Sequence, residues 1–246
     1  MQLENKTAIV TGGGSGFGAG IADLFSKNGA NVIVADINIE SATDIANQVN
    51  GMPVQVDVSD AKSVEAMKSN VLEKNTTIDI LINNAGTTHL PAPMETISEN
   101  EFDKVFEVNC KSVYLMAREF VPHFKQNKSG VILNVASTAG VSPRPNLNWY
   151  NASKGWMILA SKTMAVELAP FGIRVNVINP VAGETPLLKS FLGEDTPEMR
   201  AKFLSTIPLG RFSLPGDIAS AAMFLCSEAA SMITGASLEI DGGRTI

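Results

Sequence analysis

Tyr150 and Lys154 stand four residues apart in Trp149-Tyr150-Asn151-Ala152-Ser153-Lys154. In a helix this spacing puts a phenol and an ammonium on one face, one turn apart. The ammonium favours the phenolate and lowers the tyrosine from its ordinary pKa of about 10. A shift of about three units corresponds to roughly 4 kcal/mol and gives a proton donor near neutral pH, where general acid–base catalysis works best. A Tyr–Lys pair on a solvated helix face is the plain alternative, so the elements that position the pair decide its meaning.

Short β-branched runs at 6–11, 31–36, 54–57, 79–82, 130–134, 174–178 and 237–240 alternate with helical patterns. The helical patterns fall at 16–28, 39–50, 60–75, 98–126, 149–169 and 215–228. This alternation predicts an α/β fold: a parallel sheet of about seven strands with helices on both faces, doubly wound by right-handed crossovers. No repeat or linker splits the 246 residues, which predicts a single domain over 1–246. The segment 180–208 breaks the rhythm with Pro180, Gly183, Pro186, Gly193, Pro197 and Pro208, and has a short helical stretch near 197–205. It reads either as a loop or lid over a binding site or as a surface excursion.

The formal net charge of -6 argues against a nucleic-acid partner and, more weakly, against an anionic membrane surface. No run is long and apolar enough to span a membrane and no signal peptide is evident, so a cytoplasmic location is expected. Cys110 and Cys226 lie in apolar helical stretches and read as buried free thiols. His89 and His123 show no metal-ligand spacing, and no metal is expected.

The first strand runs into Thr11-Gly12-Gly13-Gly14-Ser15-Gly16-Phe17-Gly18, with a helix starting near Gly16. Glycines there let backbone N–H groups approach a phosphate at the positive end of the helix dipole, so the motif predicts dinucleotide binding. The second strand ends at Asp36, where this fold faces the adenosine ribose. A carboxylate accepts hydrogen bonds from the ribose hydroxyls and repels a 2′-phosphate by roughly 4 kcal/mol at about 4 Å and an effective dielectric of about 20. Ile37, Asn38 and Ile39 follow, with no Arg or Lys, which predicts NAD(H) over NADP(H). Asp57 and Asn83-Asn84-Ala85-Gly86 close the next two strands at the same sheet edge. They read as further cofactor contacts or as ordinary turn chemistry.

Together these pieces resemble the short-chain dehydrogenase/reductase family, in its short single-domain branch, over nearly the whole chain. Thr11-Gly12-x3-Gly16-x-Gly18 is similar to its cofactor motif, Asp57-Val58 to its adenine-contacting step and Asn84-Ala85-Gly86 to its fourth-strand motif. Asn109, Ser137, Tyr150 and Lys154 resemble its catalytic four. Asp241-Gly242-Gly243 resembles its closing segment. The family usually reads Pro-Gly after the sixth strand, whereas this chain reads Pro180-Val181-Ala182-Gly183-Glu184-Thr185.

The resemblance implies a single Rossmann domain with Gly12, Gly14, Ser15, Gly16, Phe17, Gly18, Asp36, Ile37, Asp57, Val58, Asn84, Ala85, Gly86, Pro180, Val181 and Thr185 around NAD(H), joined by Tyr150 and Lys154. It implies hydride transfer between the nicotinamide and an alcohol/ketone pair. Tyr150 would exchange the proton and Lys154 would lower its pKa and bind the nicotinamide ribose. Ser137 would polarise the substrate oxygen, and Asn109 would hold a water linking Lys154 to solvent. A homotetramer is also implied, built on the 98–126 and 149–169 helices and the C-terminal segment, with Phe102, Phe106, Val113 and Met116 as an apolar face. The same stripe could face only the sheet.

The small-molecule pocket is expected among His89, Leu90, Thr138, Leu147 to Trp149, and Val181 to Leu188, Leu187 included. His89 reads as a substrate-orienting residue or a solvated loop histidine. Arg144, in Pro143-Arg144-Pro145, reads as an anion clamp or as a solvated rim residue. Two other functions stay open. One is reduction of 3-oxoacyl groups on acyl carrier protein, which normally uses NADPH. The other is non-catalytic dinucleotide sensing on the same fold.

Overall fold

The computed structural model describes residues 2–74 and 77–246. β-Branched and apolar runs form β1 (Thr7–Thr11), β2 (Asn31–Asp36), β3 (Met52–Gln55), β4 (Ile80–Asn83), β5 (Gly130–Val135), β6 (Ile173–Pro180) and β7 (Ser237–Ile240). They make one seven-stranded sheet in the order β3-β2-β1-β4-β5-β6-β7, every pairing parallel. The chain reverses direction across the sheet between β1 and β4, which makes the carboxyl ends of those strands the place for a ligand crevice.

Alternate residues of each strand serve opposite faces. Val10, Val34 and Ile82 join one core with α1 (Gly16–Lys27), α2 (Ile39–Val49) and α9 (Pro215–Cys226). Ile9, Ile33 and Leu81 join a second core with α3 (Ala61–Lys74), α5 (Ser112–Asn127) and α6 (Asn148–Leu168). Because both faces are covered, the central strands are apolar throughout rather than alternating.

Several boundaries differ from expectation. β3 begins at Met52, so Asp57 lies beyond the strand rather than closing it. The expected helix at 98–126 is broken into α4 (Glu99–Phe106), a π-helical turn at Glu107–Lys111, and α5. At that turn the Ser112 N–H reaches the Glu107 carbonyl, five residues back. The expected third helix extended to residue 75, which lies outside the described residues. Within 180–208 two short helices form, α7 (Leu188–Leu192) and α8 (Pro197–Leu204). Cys110 and Cys226 are free and buried, and burial pushes their thiols up to about 11 and about 12. No helix among the described residues is long and apolar enough to cross a membrane.

Candidate active site

The carboxyl ends of the strands open into a cavity of about 570 Å³, within the range of small-molecule sites. The β1–α1 turn forms one wall. Gly16 has φ +53°, a left-handed backbone that glycine adopts without strain. At Gly18 a Cβ would lie 2.1 Å from the Gly12 carbonyl oxygen, so only glycine lets α1 approach the turn this closely. Ser15 caps no N–H group with its side chain, and no acidic residue occupies the first turn of α1. The helix therefore presents its positive end to the cavity, as an anionic diphosphate requires.

Asp36 ties this wall together. One carboxylate oxygen accepts from the Gly14 N–H at 2.9 Å and the other from the Asn38 N–H at 3.0 Å. Thr11 and Asn84 stitch β1 to the segment after β4. The Thr11 hydroxyl accepts from the Asn84 and Ala85 N–H groups, and the Asn84 amide donates to the Thr11 and Gly12 carbonyls.

Of the residues expected around a dinucleotide, Gly12, Ser15, Gly16, Phe17, Asp36, Ile37, Asp57, Val58, Asn84, Ala85, Gly86, Pro180, Val181 and Thr185 line the cavity. Gly14 and Gly18 do not. They stand behind the wall, against Asp36 and Gly12, and shape it. The departure from Pro-Gly after β6 has a local explanation. At Gly183 a Cβ would meet the Phe17 ring at 2.3 Å, so the close approach falls three residues after Pro180. The glycine cradle, the uncapped helix end and the ribose-side carboxylate fit a nicotinamide dinucleotide.

At the other end, α6 carries Tyr150 and Lys154 on its buried face, both within the cavity wall. Ser137, just beyond β5, stands beside the Tyr150 phenol and its hydroxyl accepts from the Ala139 N–H at 3.1 Å. Lys154 donates to the Val135 carbonyl at 2.9 Å, and its Nζ lies 5.9 Å from the Tyr150 ring centre. Burial pushes the Tyr150 phenol up to about 12, against the neighbouring Ser137 hydroxyl and the positive Arg144, which both lower it. Burial pulls the Lys154 ammonium down to about 8. The expected lowering of the tyrosine by its lysine is therefore corrected. Enclosure outweighs a cation that is itself desolvated and engaged with a carbonyl.

Asn109 sits in the π-helical turn and is fully buried. Its amide pairs with both backbone groups of Thr87 at 2.9 Å and donates to Ser153 Oγ at 3.0 Å. Ser153 Oγ in turn donates to the Tyr150 carbonyl at 2.7 Å. Asn109 thus lies behind the cavity wall, joined to α6 through Ser153.

The substrate-side expectations divide. Thr138 and Leu187 line the cavity. Leu147 does not, because it is buried behind Tyr150 with Ala139 and Phe191. Trp149 also turns away, donating to the Met94 carbonyl and packing edge-on to Phe102. His89 is buried outside the cavity wall with its Nδ1 at the Leu90 carbonyl and no partner for its Nε2 among the described residues, so it is not a solvated loop histidine. Leu90 is exposed. Arg144 is half-buried in the cavity wall rather than solvated on a rim. Reasoning from the sequence missed Phe191, Phe203 and Arg244, which also line the cavity. Phe191 and Phe203 ride on α7 and α8, and no local pattern marks Arg244, which follows β7.

A family model described as enoyl-(acyl carrier protein) reductase matches residues 12–245. The chain is 48% identical to the 4-formylbenzenesulfonate dehydrogenase of Comamonas testosteroni over the full length of both. It is 38% identical to a 3-oxoacyl-acyl-carrier-protein reductase of Thermotoga maritima, again over all of both chains. The crystal structure of a 3-ketoacyl-(acyl-carrier-protein) reductase from Brucella melitensis, complexed with NADH, superposes with a TM-score of 0.94 at 48% identity, covering 99% of this chain and 100% of that one. The chain belongs to the short-chain dehydrogenase/reductase family and has its Rossmann-like fold; it is an oxidoreductase that binds a nicotinamide dinucleotide.

Proposed function

We propose that this protein is an NAD(H)-dependent oxidoreductase that interconverts a small secondary alcohol and a ketone, with Tyr150 as the general acid and base. The observation that carries this proposal is the meeting of Tyr150, Ser137 and Lys154 in one cavity wall, with Lys154 one helical turn from the buried Tyr150. A bound nicotinamide dinucleotide would be the hydride donor or acceptor. Tyr150 gives a proton to the carbonyl oxygen in reduction and takes it back in oxidation. Ser137 holds and polarises that oxygen. Lys154 would hold the nicotinamide ribose and set the charge beside the phenol. Asn109 positions α6 through Ser153 rather than touching the reacting atoms.

Asp36 supports NAD(H) over NADP(H). The cationic residues of the cavity wall are Lys104, Arg144, Lys154 and Arg244, and none lies on the β2–α2 turn where a 2′-phosphate would need one. The relative from Comamonas testosteroni is named for a formyl group on a benzenesulfonate, which favours an aromatic carbonyl as a second reading of the substrate. We also propose a homotetramer. The outward face of α6 carries Trp156, Leu159 and Val166, the last 77% exposed, while its inward face carries the polar site. An apolar outer face of this kind is suited to a second copy. The expected stripe on the preceding helix is not one surface, since Val113 and Met116 are buried and Phe102 and Phe106 are exposed.

The test is reduction of an acetoacetyl thioester with NADH and NADPH in parallel, followed by a screen of ketones and alcohols with NAD(H). Turnover of the small ketones with NADH is the expected result. Efficient thioester reduction with NADPH would overturn the assignment in favour of an acyl-carrier-protein reductase. Dinucleotide binding without turnover of any carbonyl would favour a sensor.

A further inference from the structure

Two guanidinium groups converge beside Tyr150 with no carboxylate in ion-pair contact with either. Arg144 and Arg244 each stand 5.0 Å from the centre of the Phe203 ring, and Arg144 also stands 5.9 Å from that of Phe191. Phe191 in turn lies edge-on to Tyr150 at 5.1 Å, so a single ring spans from the phenol to Arg144. All five side chains line the cavity. Among the described residues neither arginine has an acidic side chain within ion-pair distance. The carboxylate near Arg244 belongs to Asp241, and it is occupied by the Gly243 and Thr245 N–H groups and the Thr245 hydroxyl. The Arg244 guanidinium donates to the Thr206 hydroxyl at 3.2 Å.

Burial holds both guanidiniums below the ordinary arginine value; the like charge of Arg244 lowers Arg144 further, while the Asp241 carboxylate works against the lowering at Arg244. Guanidinium groups remain charged under such conditions. Two half-buried like charges that share one aromatic ring are costly unless an anion joins them. An oxyanion with two or three equivalent oxygens matches them well, because it can accept paired N–H donors from both forks.

We infer that Arg144 and Arg244 form an anion clamp that selects substrates bearing a carboxylate or sulfonate about one aromatic ring away from the reacting carbonyl. The inference rests on the carbonyl–alcohol activity proposed above. The dinucleotide diphosphate is served separately, by the N-terminus of α1 at the other wall. The phenylalanines supply the apolar sides on which the substrate body lies, and the arginines fix its far end so that the near end meets Ser137 and Tyr150.

The test measures binding of 4-acetylbenzoate, 4-acetylbenzenesulfonate and uncharged methyl 4-acetylbenzoate to the NAD-loaded protein by calorimetry, with NADH-dependent reduction followed in parallel. At least one anion is expected to bind about tenfold or more tightly than the ester. The stronger of the two anions tells carboxylate from sulfonate selection. In Arg144→Gln and Arg244→Gln the anion-over-ester preference should shrink about tenfold, and Arg144→Lys should restore part of it. NADH affinity, read by fluorescence, checks that the variants fold. Equal binding of anions and ester, no binding of any of the three, or a preference untouched by both substitutions would overturn the clamp. A loss of NADH affinity as large as the loss of anion affinity would assign the pair to the dinucleotide and overturn it too. Arg-dependent anion binding without reduction would sustain the clamp and sink the proposed reaction. Reduction without charge preference would do the reverse.

Discussion

At the residue scale, desolvation governs the proton inventory of the site. Folding moves Lys154 from its ordinary 10.5 to about 8. Between those pH values the unfolded chain holds more protons than the folded one, so this group makes stability rise with pH from about 8 to 10.5. Tyr150, raised to about 12, acts with the opposite sign, but only above pH 10. Urea unfolding of the wild type and Lys154→Met at pH 8 and pH 10 should therefore show a smaller gain on raising the pH in the variant. A high phenol pKa also means that the basic form grows about tenfold per pH unit through pH 7–10, so kcat/KM for alcohol oxidation should climb steadily there. A flat profile would exclude Tyr150 as the base. Asp36→Asn keeps an oxygen to accept from the backbone while removing the charge, and should narrow the NAD-over-NADP preference by about tenfold or more. Matched kcat/KM values with the two dinucleotides check it.

At the scale of elements, positions that look merely local turn out to set the site. The π-helical turn brings Asn109 to both backbone groups of Thr87, so Asn109→Ala leaves a partly buried N–H and carbonyl without their side-chain partner. It should lower unfolding free energy by about 1–3 kcal/mol, measurable by denaturant titration. The apolar period at 98–126 made one long helix the natural expectation, because a single extra residue in a turn leaves almost no trace in hydrophobic spacing. The strands were more legible. Their β-branched runs are continuous because the sheet is covered on both faces, and the glycine turn and Asp36 stand at strand ends in plain view. α6 shows the limit of pattern reading. Its buried face bears Tyr150, Ser153, Lys154 and Ser161, whereas Leu159 and Val166 lie outside, the reverse of an ordinary surface helix.

At the scale of the whole molecule, what the sequence hid is what the tertiary fold alone assembles. Phe191, Phe203 and Arg244 come from α7, α8 and the segment after β7, and only the closed fold puts them beside Arg144. His89 and Trp149 failed as pocket residues because neighbouring backbone carbonyls and Phe102 claim them first. The outward α6 face makes a further prediction at this scale. Leu159→Lys with Val166→Lys should shift the particle toward smaller assemblies in sedimentation velocity, and an unchanged sedimentation coefficient would exclude this face from the interface.

The most direct test compares wild type and Tyr150→Phe, with NADH binding and single-turnover reduction of a ketone substrate measured on the same samples. The phenylalanine keeps the ring against Phe191 and removes only the hydroxyl. The expected result is NADH affinity close to wild type with the reduction rate lower by about 10²–10⁴. Near-normal turnover in Tyr150→Phe would contradict the assignment of this tyrosine as the proton donor.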